Sequence, residues 1–184
     1  MLIINNTQLY ERTLSTSYLY RGRIINVRQD RVKVHNGNTA FREIVEHPGA
    51  VAVLAVDQKD RIIMVKQFRQ PAQKVLLEIP AGKLEPGESP LACARREFAE
   101  ETAMEAKQWK QVAAFYPSPG FCDEIIYLYY ATGIKDAVSP VTDPDENIEL
   151  SPVKLEKASA MIQNGQIVDG KTIIAIQHAL LYLK

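Results

Sequence analysis

Two hydrophobic periods divide this chain, a strand-like one at both ends of its first two-thirds and a helical one between. From Tyr18 to His47 the runs YLYRGRIINVRQDRVKV and TAFREIVEH are rich in β-branched and aromatic residues and are separated by HNGN. Asn36-Gly37 predicts a hairpin there, because a type I′ turn needs positive φ at both central positions. Ala50–Val56 (AVAVLAV) is short and apolar, which predicts a buried strand. Arg61–Arg69, Val75–Ile79, Lys110–Tyr116 and Ile125–Thr132 predict four more. Between them lies a loop rich in Gly and Pro, then a helix that starts at Ser89-Pro90 with a serine N-cap and proline at the first helical position. Leu91, Ala94 and Phe98 fall on one side of that helix, as a face packed on a sheet requires. Asp136–Glu149 reads as an acidic, proline-containing loop, and two helices follow at Leu155–Asn164 and about Gly170–Leu183. Strands on both sides of a central helix predict an α/β fold, a sandwich of mixed β-sheets rather than a regular parallel βαβ sheet.

Composition narrows the class. A chain of 184 residues fits one domain with a substantial core. Lys+Arg and Asp+Glu are both 22, and this zero net charge argues against nucleic acid or a membrane surface as partner. An anionic substrate must then be held locally, by a few arginines or by metal ions. Cys93 and Cys122 make no disulfide framework. The start MLIINNTQLYER has no signal-peptide pattern, and no apolar run approaches the ~18 residues of a membrane span. A reduced, cytoplasmic protein is the economical expectation. His35, His47 and His178 share no ligand spacing, and Cys122 has no evident histidine partner, which argues against a thiol nucleophile.

The candidate chemistry sits on the central helix. Glu97, Glu100 and Glu101 stand at i, i+3 and i+4, so all three converge on one patch although like charges at that spacing repel. Three hard oxygen donors on a rigid element suit Mg²⁺, or Mn²⁺, with water and phosphate oxygens completing the shell. Arg96, four residues before Glu100, can orient or partly neutralise them. The alternative is a solvated acidic face. The flanking spacing decides for the first reading. Gly82 is followed after five residues by Glu88, and after seven more by Arg96-Glu97-Phe98-x-Glu100-Glu101-x-Ala103-Met104.

That pattern resembles the Nudix box, and the chain resembles a Nudix hydrolase. The resemblance implies an α/β/α sandwich carrying a catalytic loop–helix–loop, and hydrolysis of a nucleoside diphosphate linked to another group. It implies metal ligation by Glu97 and Glu101, with Glu100 joining or bridging, and by the backbone carbonyl of Ala81; Glu88 and Arg96 match the pair that braces the loop. The family carries glycine where Ala103 stands. If that position takes positive φ, alanine costs roughly 1 kcal/mol.

Further blocks, YLYRGRI, REIVEHPGAVAVLAV, LEIPAGKLEPGE and SPGFCDE, with Pro119 15 residues after Met104, resemble the bacterial ADP-ribose pyrophosphatases. This implies ADP-ribose as substrate, AMP and ribose 5-phosphate as products, and a homodimer. An N-terminal β-strand arm (residues 1–48) for dimerisation, with or without exchange between subunits, would precede the hydrolase domain (49–184). Substrate contacts are then expected at Ile24, Glu43, Ser118, Gly120 and Glu124. Arg69 suits a phosphate or ribose, since its fork engages two oxygens. Glu78 suits the adenine amino group or a ribose hydroxyl, or is a solvent-facing strand residue. The loop PDENIEL offers a general base; the subgroup's acidic loop points to Glu146, with Glu149 next. The rival expectations are another nucleoside diphosphate sugar or a dinucleotide as substrate, and a non-catalytic ADP-ribose-binding regulatory module.

Overall fold

A computed structural model describes residues 9–137 and 147–182. The chain forms two compact units. One ends at Pro48 and adds Ser118–Glu124; the other comprises Gly49–Pro117 and continues from Ile125.

In the first unit, β1 (Arg12–Arg21), β2 (Asn26–Lys33) and β3 (Thr39–Glu46) form an antiparallel meander. The strand content starts earlier than the Tyr18 expected from composition, because the threonines and serines of RTLSTS carry no apolar alternation. The turn between β2 and β3 is also longer than expected. Val34 donates to Asn38 and Gly37 donates to Val34, and Gly37 takes positive φ while Asn36 does not, so the connection is not a two-residue type I′ turn. Residues 118–124 are stitched to the end of β3. The Val45 amide donates to the Phe121 carbonyl (2.7 Å), and the His47 amide donates to Asp123 Oδ1 (2.7 Å).

The second unit contains β4 (Ala50–Ala55), β5 (Arg61–Ile62), β6 (Val65–Arg69), β7 (Lys74–Glu78), β8 (Ala81–Lys83), α1 (Pro90–Thr102), β9 (Met104–Glu105), β10 (Gln108–Phe115), β11 (Ile126–Thr132), β12 (Lys135–Asp136), β13 (Ile148–Leu150), β14 (Val153–Lys154), α2 (Leu155–Gln163) and α3 (Gly170–Tyr182). Its central sheet has the order β10-β11-β4-β8, with β4 parallel to β11 and antiparallel to β8. Every residue of β4 is buried, because both faces of the sheet are covered. Val51, Val53 and Ala55 pack with Cys93, Ala94 and Phe98 of α1. Ala50, Ala52 and Leu54 pack on the other side with Ala158 of α2 and Ala175, Ile176 and Ala179 of α3. One helix on one face and two on the other make the α/β/α sandwich.

Two stretches differ from the sequence reading. Arg61–Arg69 is two strands: β5 pairs with β14, while β6 pairs with β7 and β13. Ile62 through Val65 are buried throughout, so no alternation marked the change of partner. The acidic loop ends earlier than Glu149, since Ile148 and Glu149 lie in β13 on the edge of β6.

Candidate active site

The local fold of α1 follows from its ends. Ser89 Oγ accepts from the Ala92 amide (3.3 Å), with Pro90 behind it, and Ala103 closes the helix at φ 55°, its amide donating to the Ala99 carbonyl. A residue with a Cβ in that left-handed position carries strain that glycine would not. Phe98 anchors the helix from beneath, fully buried and edge-to-face with Trp109 at 5.9 Å between centroids. With Cys93, Ala94 and Phe98 inward, the other side of the helix turns Arg96, Glu97 and Glu100 toward the loop that precedes it.

Arg96 organises that side. Its Nε and Nη2 grip Glu88 in a fork (3.0 and 2.9 Å), and its Nη1 donates to both Glu97 (2.9 Å) and Glu100 (3.0 Å). The hydrogen bonds from Arg96 hold the Glu88 carboxyl down at about 2, against an ordinary 4.5. Arg96 itself is held above its ordinary value, by Glu88 first and then by Glu97. Glu101 lies one turn on from Glu97 and accepts from the Ala81 amide (3.1 Å), which sets the β8 backbone beside the cluster. Gly82 lets the two elements close. A Cβ there would stand 1.8 Å from Glu97 Cδ, so any other residue would expel the carboxylate.

The donor set suits a hard divalent cation. It is all oxygen, and one guanidinium nitrogen already occupies the place where Glu97 and Glu100 meet. Among the described residues, no group of three or more His, Cys, Asp or Glu is spaced as a ready metal site. Cys93 lies beneath the cluster, donating to the Lys83 carbonyl (3.3 Å). Burial, reinforced by Glu88, pushes its thiol up to about 12, so it stays neutral and is no nucleophile.

Arg69 and Glu78 come together in a second guanidinium–carboxylate pair. Glu78 is 1% exposed, not a solvent-facing strand residue. Its Oε1 accepts from Arg69 Nε (3.0 Å) and its Oε2 from Arg69 Nη2 (2.8 Å) and from Lys171 Nζ. Burial pushes the Glu78 carboxyl up, but the hydrogen bonds and charges of Arg69 and Lys171 outweigh it and hold the group below its ordinary value. Lys171, Asp169 and Thr172 carried no signal in the sequence. Lys171 is 93 positions from Glu78, and only the Asp-x-x-Thr pattern at the start of α3, where Asp169 Oδ2 accepts from the Thr172 amide (3.0 Å), hints at a fixed helix end.

The remaining candidates lie elsewhere. Ile24 and Glu43 are exposed in the first unit, and Ser118, Gly120 and Glu124 belong to its 118–124 segment. There Ser118 accepts through its carbonyl from the Phe121 and Cys122 amides, and Glu124 Oε1 stands 3.7 Å from His47 Nδ1. Glu149 is paired with Lys66 (2.7 Å). Glu146 lies outside the described residues. No described helix is long and apolar enough to cross a membrane.

Comparison with known proteins extends these observations. Residues 46–174 match the NUDIX domain and residues 11–45 the nucleoside diphosphate sugar hydrolase N-terminal domain. The chain is 45% identical to a methanol dehydrogenase activator from Bacillus methanolicus, over 93% of each protein. It is 44% identical to an ADP-ribose pyrophosphatase from Bacillus subtilis (strain 168), over 94% of each. A crystal structure of an ADP compounds hydrolase shares its fold with a TM-score of 0.83, at 18% identity and over 94% of each chain. With the box spacing, the packing of α1 and a domain match across most of its length in agreement, the chain belongs to the Nudix hydrolase family.

Proposed function

We propose that this protein hydrolyses the diphosphate of ADP-ribose to AMP and ribose 5-phosphate in a Mg²⁺-dependent reaction. The observation that carries this reading is the glutamate set of α1, nested on Gly82 and braced by Arg96, in a chain 44% identical over 94% of its length to the Bacillus subtilis enzyme. Glu97, Glu100 and Glu101, with the Ala81 carbonyl, would hold the cation. Once bound, Mg²⁺ (or Mn²⁺) neutralises charge on the diphosphate and lowers the pKa of the attacking water. Arg96 keeps the glutamates from splaying, and Arg69, its fork held by Glu78, offers its remaining Nη1 to a phosphate or ribose oxygen. A carboxylate not engaged by metal must take the proton, and we assign that to Glu146, with Glu149 second; Glu146→Gln should lower kcat with little change in KM.

We assign dimerisation to the arm (residues 1–48) and the hydrolase domain to residues 49–184, with Ile24, Glu43, Ser118, Gly120 and Glu124 as further substrate contacts. All ten residues of β1 are exposed, Leu14, Tyr18, Leu19 and Tyr20 among them, and so much apolar surface on one sheet supports a second copy as its cover. The two free cysteines fit a cytoplasmic setting. The relative named as an activator of a dehydrogenase keeps a regulatory, non-hydrolytic module as the second reading.

A substrate panel separates these. ADP-ribose, ADP-glucose, GDP-mannose, NADH and diadenosine polyphosphates are assayed for cleavage with and without Mg²⁺. Mg²⁺-dependent cleavage of ADP-ribose above the rest is expected. Preference for another member would replace the substrate, and binding of ADP-ribose without turnover would favour the regulatory module.

A further inference from the structure

Glu78 is a buried carboxylate that the glutamate cluster of α1 does not use. The fork of Arg69 alone would satisfy it, since two parallel N–H···O bonds are the strongest pairing a carboxylate makes. A second cation, Lys171, is nevertheless brought to it from the first turn of α3, with its side chain only 13% exposed. Burying a flexible ammonium costs desolvation and side-chain entropy, so its presence beside a satisfied carboxylate calls for a reason. Asp169 takes part of that cost: its Oδ1 lies 3.0 Å from Lys171 Nζ, while its Oδ2 accepts from Thr172 Oγ1 (2.6 Å). Thr172 Oγ1 in turn accepts from the Ile79 amide (2.9 Å), which ties α3 to the chain immediately after Glu78.

The geometry gives the reason. Lys171 and Arg69 Nη2 share Glu78 Oε2, so the carboxylate is held from α3 as well as from β6. Arg69 spends Nε and Nη2 on Glu78, and Nη1 has no hydrogen-bond partner among the described residues. The Arg69 side chain is still 38% exposed, and the charge of Glu101 reaches it. We propose that Lys171 is a positioning residue: through Glu78 it fixes the Arg69 guanidinium near the α1 glutamates, with Nη1 turned to a phosphoryl oxygen of the substrate. This deepens the proposed diphosphate hydrolysis and rests on it.

The test compares Lys171→Met, which keeps length and loses charge, with Lys171→Arg, which restores it. With ADP-ribose, Lys171→Met should raise KM about tenfold and leave kcat within about twofold, because a ground-state phosphate contact is lost. Lys171→Arg should recover most of the loss. Arg69→Lys should show the same rise, and the Arg69→Lys/Lys171→Met double variant should be no worse than Arg69→Lys alone, since the two act as one unit. Losses that multiply, or a lowered Tm with unchanged KM, would overturn the inference.

A second readout needs no substrate. The arginine side-chain Nε–H resonance of Arg69, assigned by its absence in Arg69→Lys, should be sharp in the wild type, broadened in Lys171→Met and restored in Lys171→Arg. A wild type that cleaves no panel member contradicts the proposed function. An unchanged Arg69 resonance in Lys171→Met contradicts the positioning role whatever the substrate is. Should Lys171→Met fail to fold, Lys171→Gln, which keeps a donor without the charge, carries the same comparison.

Discussion

Arg96 and Arg69 are each gripped in a fork by a carboxylate, and the charge of a Nudix-box glutamate reaches each, but they are left with different amounts of free hydrogen-bonding capacity. Arg96 gives Nε and Nη2 to Glu88 and divides Nη1 between Glu97 and Glu100. Arg69 gives Nε and Nη2 to Glu78, and its Nη1 is unclaimed among the described residues. The number of N–H groups consumed locally therefore separates an arginine that braces from one that presents. Glu88 is held by one cation and a loop amide, at the chain's turn into α1. Glu78 is held by two cations from different elements, which leaves its arginine little freedom to swing.

Breaking each arginine should expose this difference. Arg96→Met leaves Glu88 unpaired and Glu97 facing Glu100, and should cost about 2–4 kcal/mol of stability by urea unfolding. An unchanged unfolding midpoint would mean that Arg96 does not brace the helix. Arg69→Lys retains the charge and loses the fork; KM should rise about tenfold while Tm moves little, the reverse of the Arg96 result.

A smaller effect concerns acid. Glu88 ionises near 2 in the folded protein and near 4.5 when unfolded, so its contribution to stability is complete above 4.5 and is lost as pH falls toward 2. The stability gap between wild type and Glu88→Gln should therefore close over that interval. A gap that stays constant from neutral pH to about 2 would assign the loss to shape and not to charge. The smallest effect is at the end of α1. Ala103→Gly relieves the Cβ strain at φ 55° but loosens the unfolded chain, for a net gain of roughly 0.5 kcal/mol.

How much of this was legible in the sequence depended on whether the signal was local. The Ser89-Pro90 start, the inward face of α1 and the convergence of Glu97, Glu100 and Glu101 all lie within a few turns of one helix, and spacing suffices for such features. The run AVAVLAV showed its burial because no polar residue interrupts it. The switch of partners between β5 and β6 was not legible, since Ile62 to Val65 are buried whichever strand they belong to. Lys171 was invisible for another reason: a lysine in a first turn reads as solvated, and only the fold brings it to Glu78 across 93 positions. The positive φ of Ala103 was expected only because its place in the box is a glycine place, not because alanine announces it.

The most direct measurement is the initial rate of ADP-ribose hydrolysis as a function of Mg²⁺ concentration, in wild type and Glu101→Gln side by side, with Tm recorded for both. The substitution removes a charge from the proposed metal site at constant volume. The expected result is a rate that saturates with Mg²⁺ in the wild type and falls by about a thousandfold in Glu101→Gln at unchanged Tm. A rate independent of Mg²⁺, or equal in the two proteins, would contradict the assignment of the α1 glutamates to metal-assisted hydrolysis.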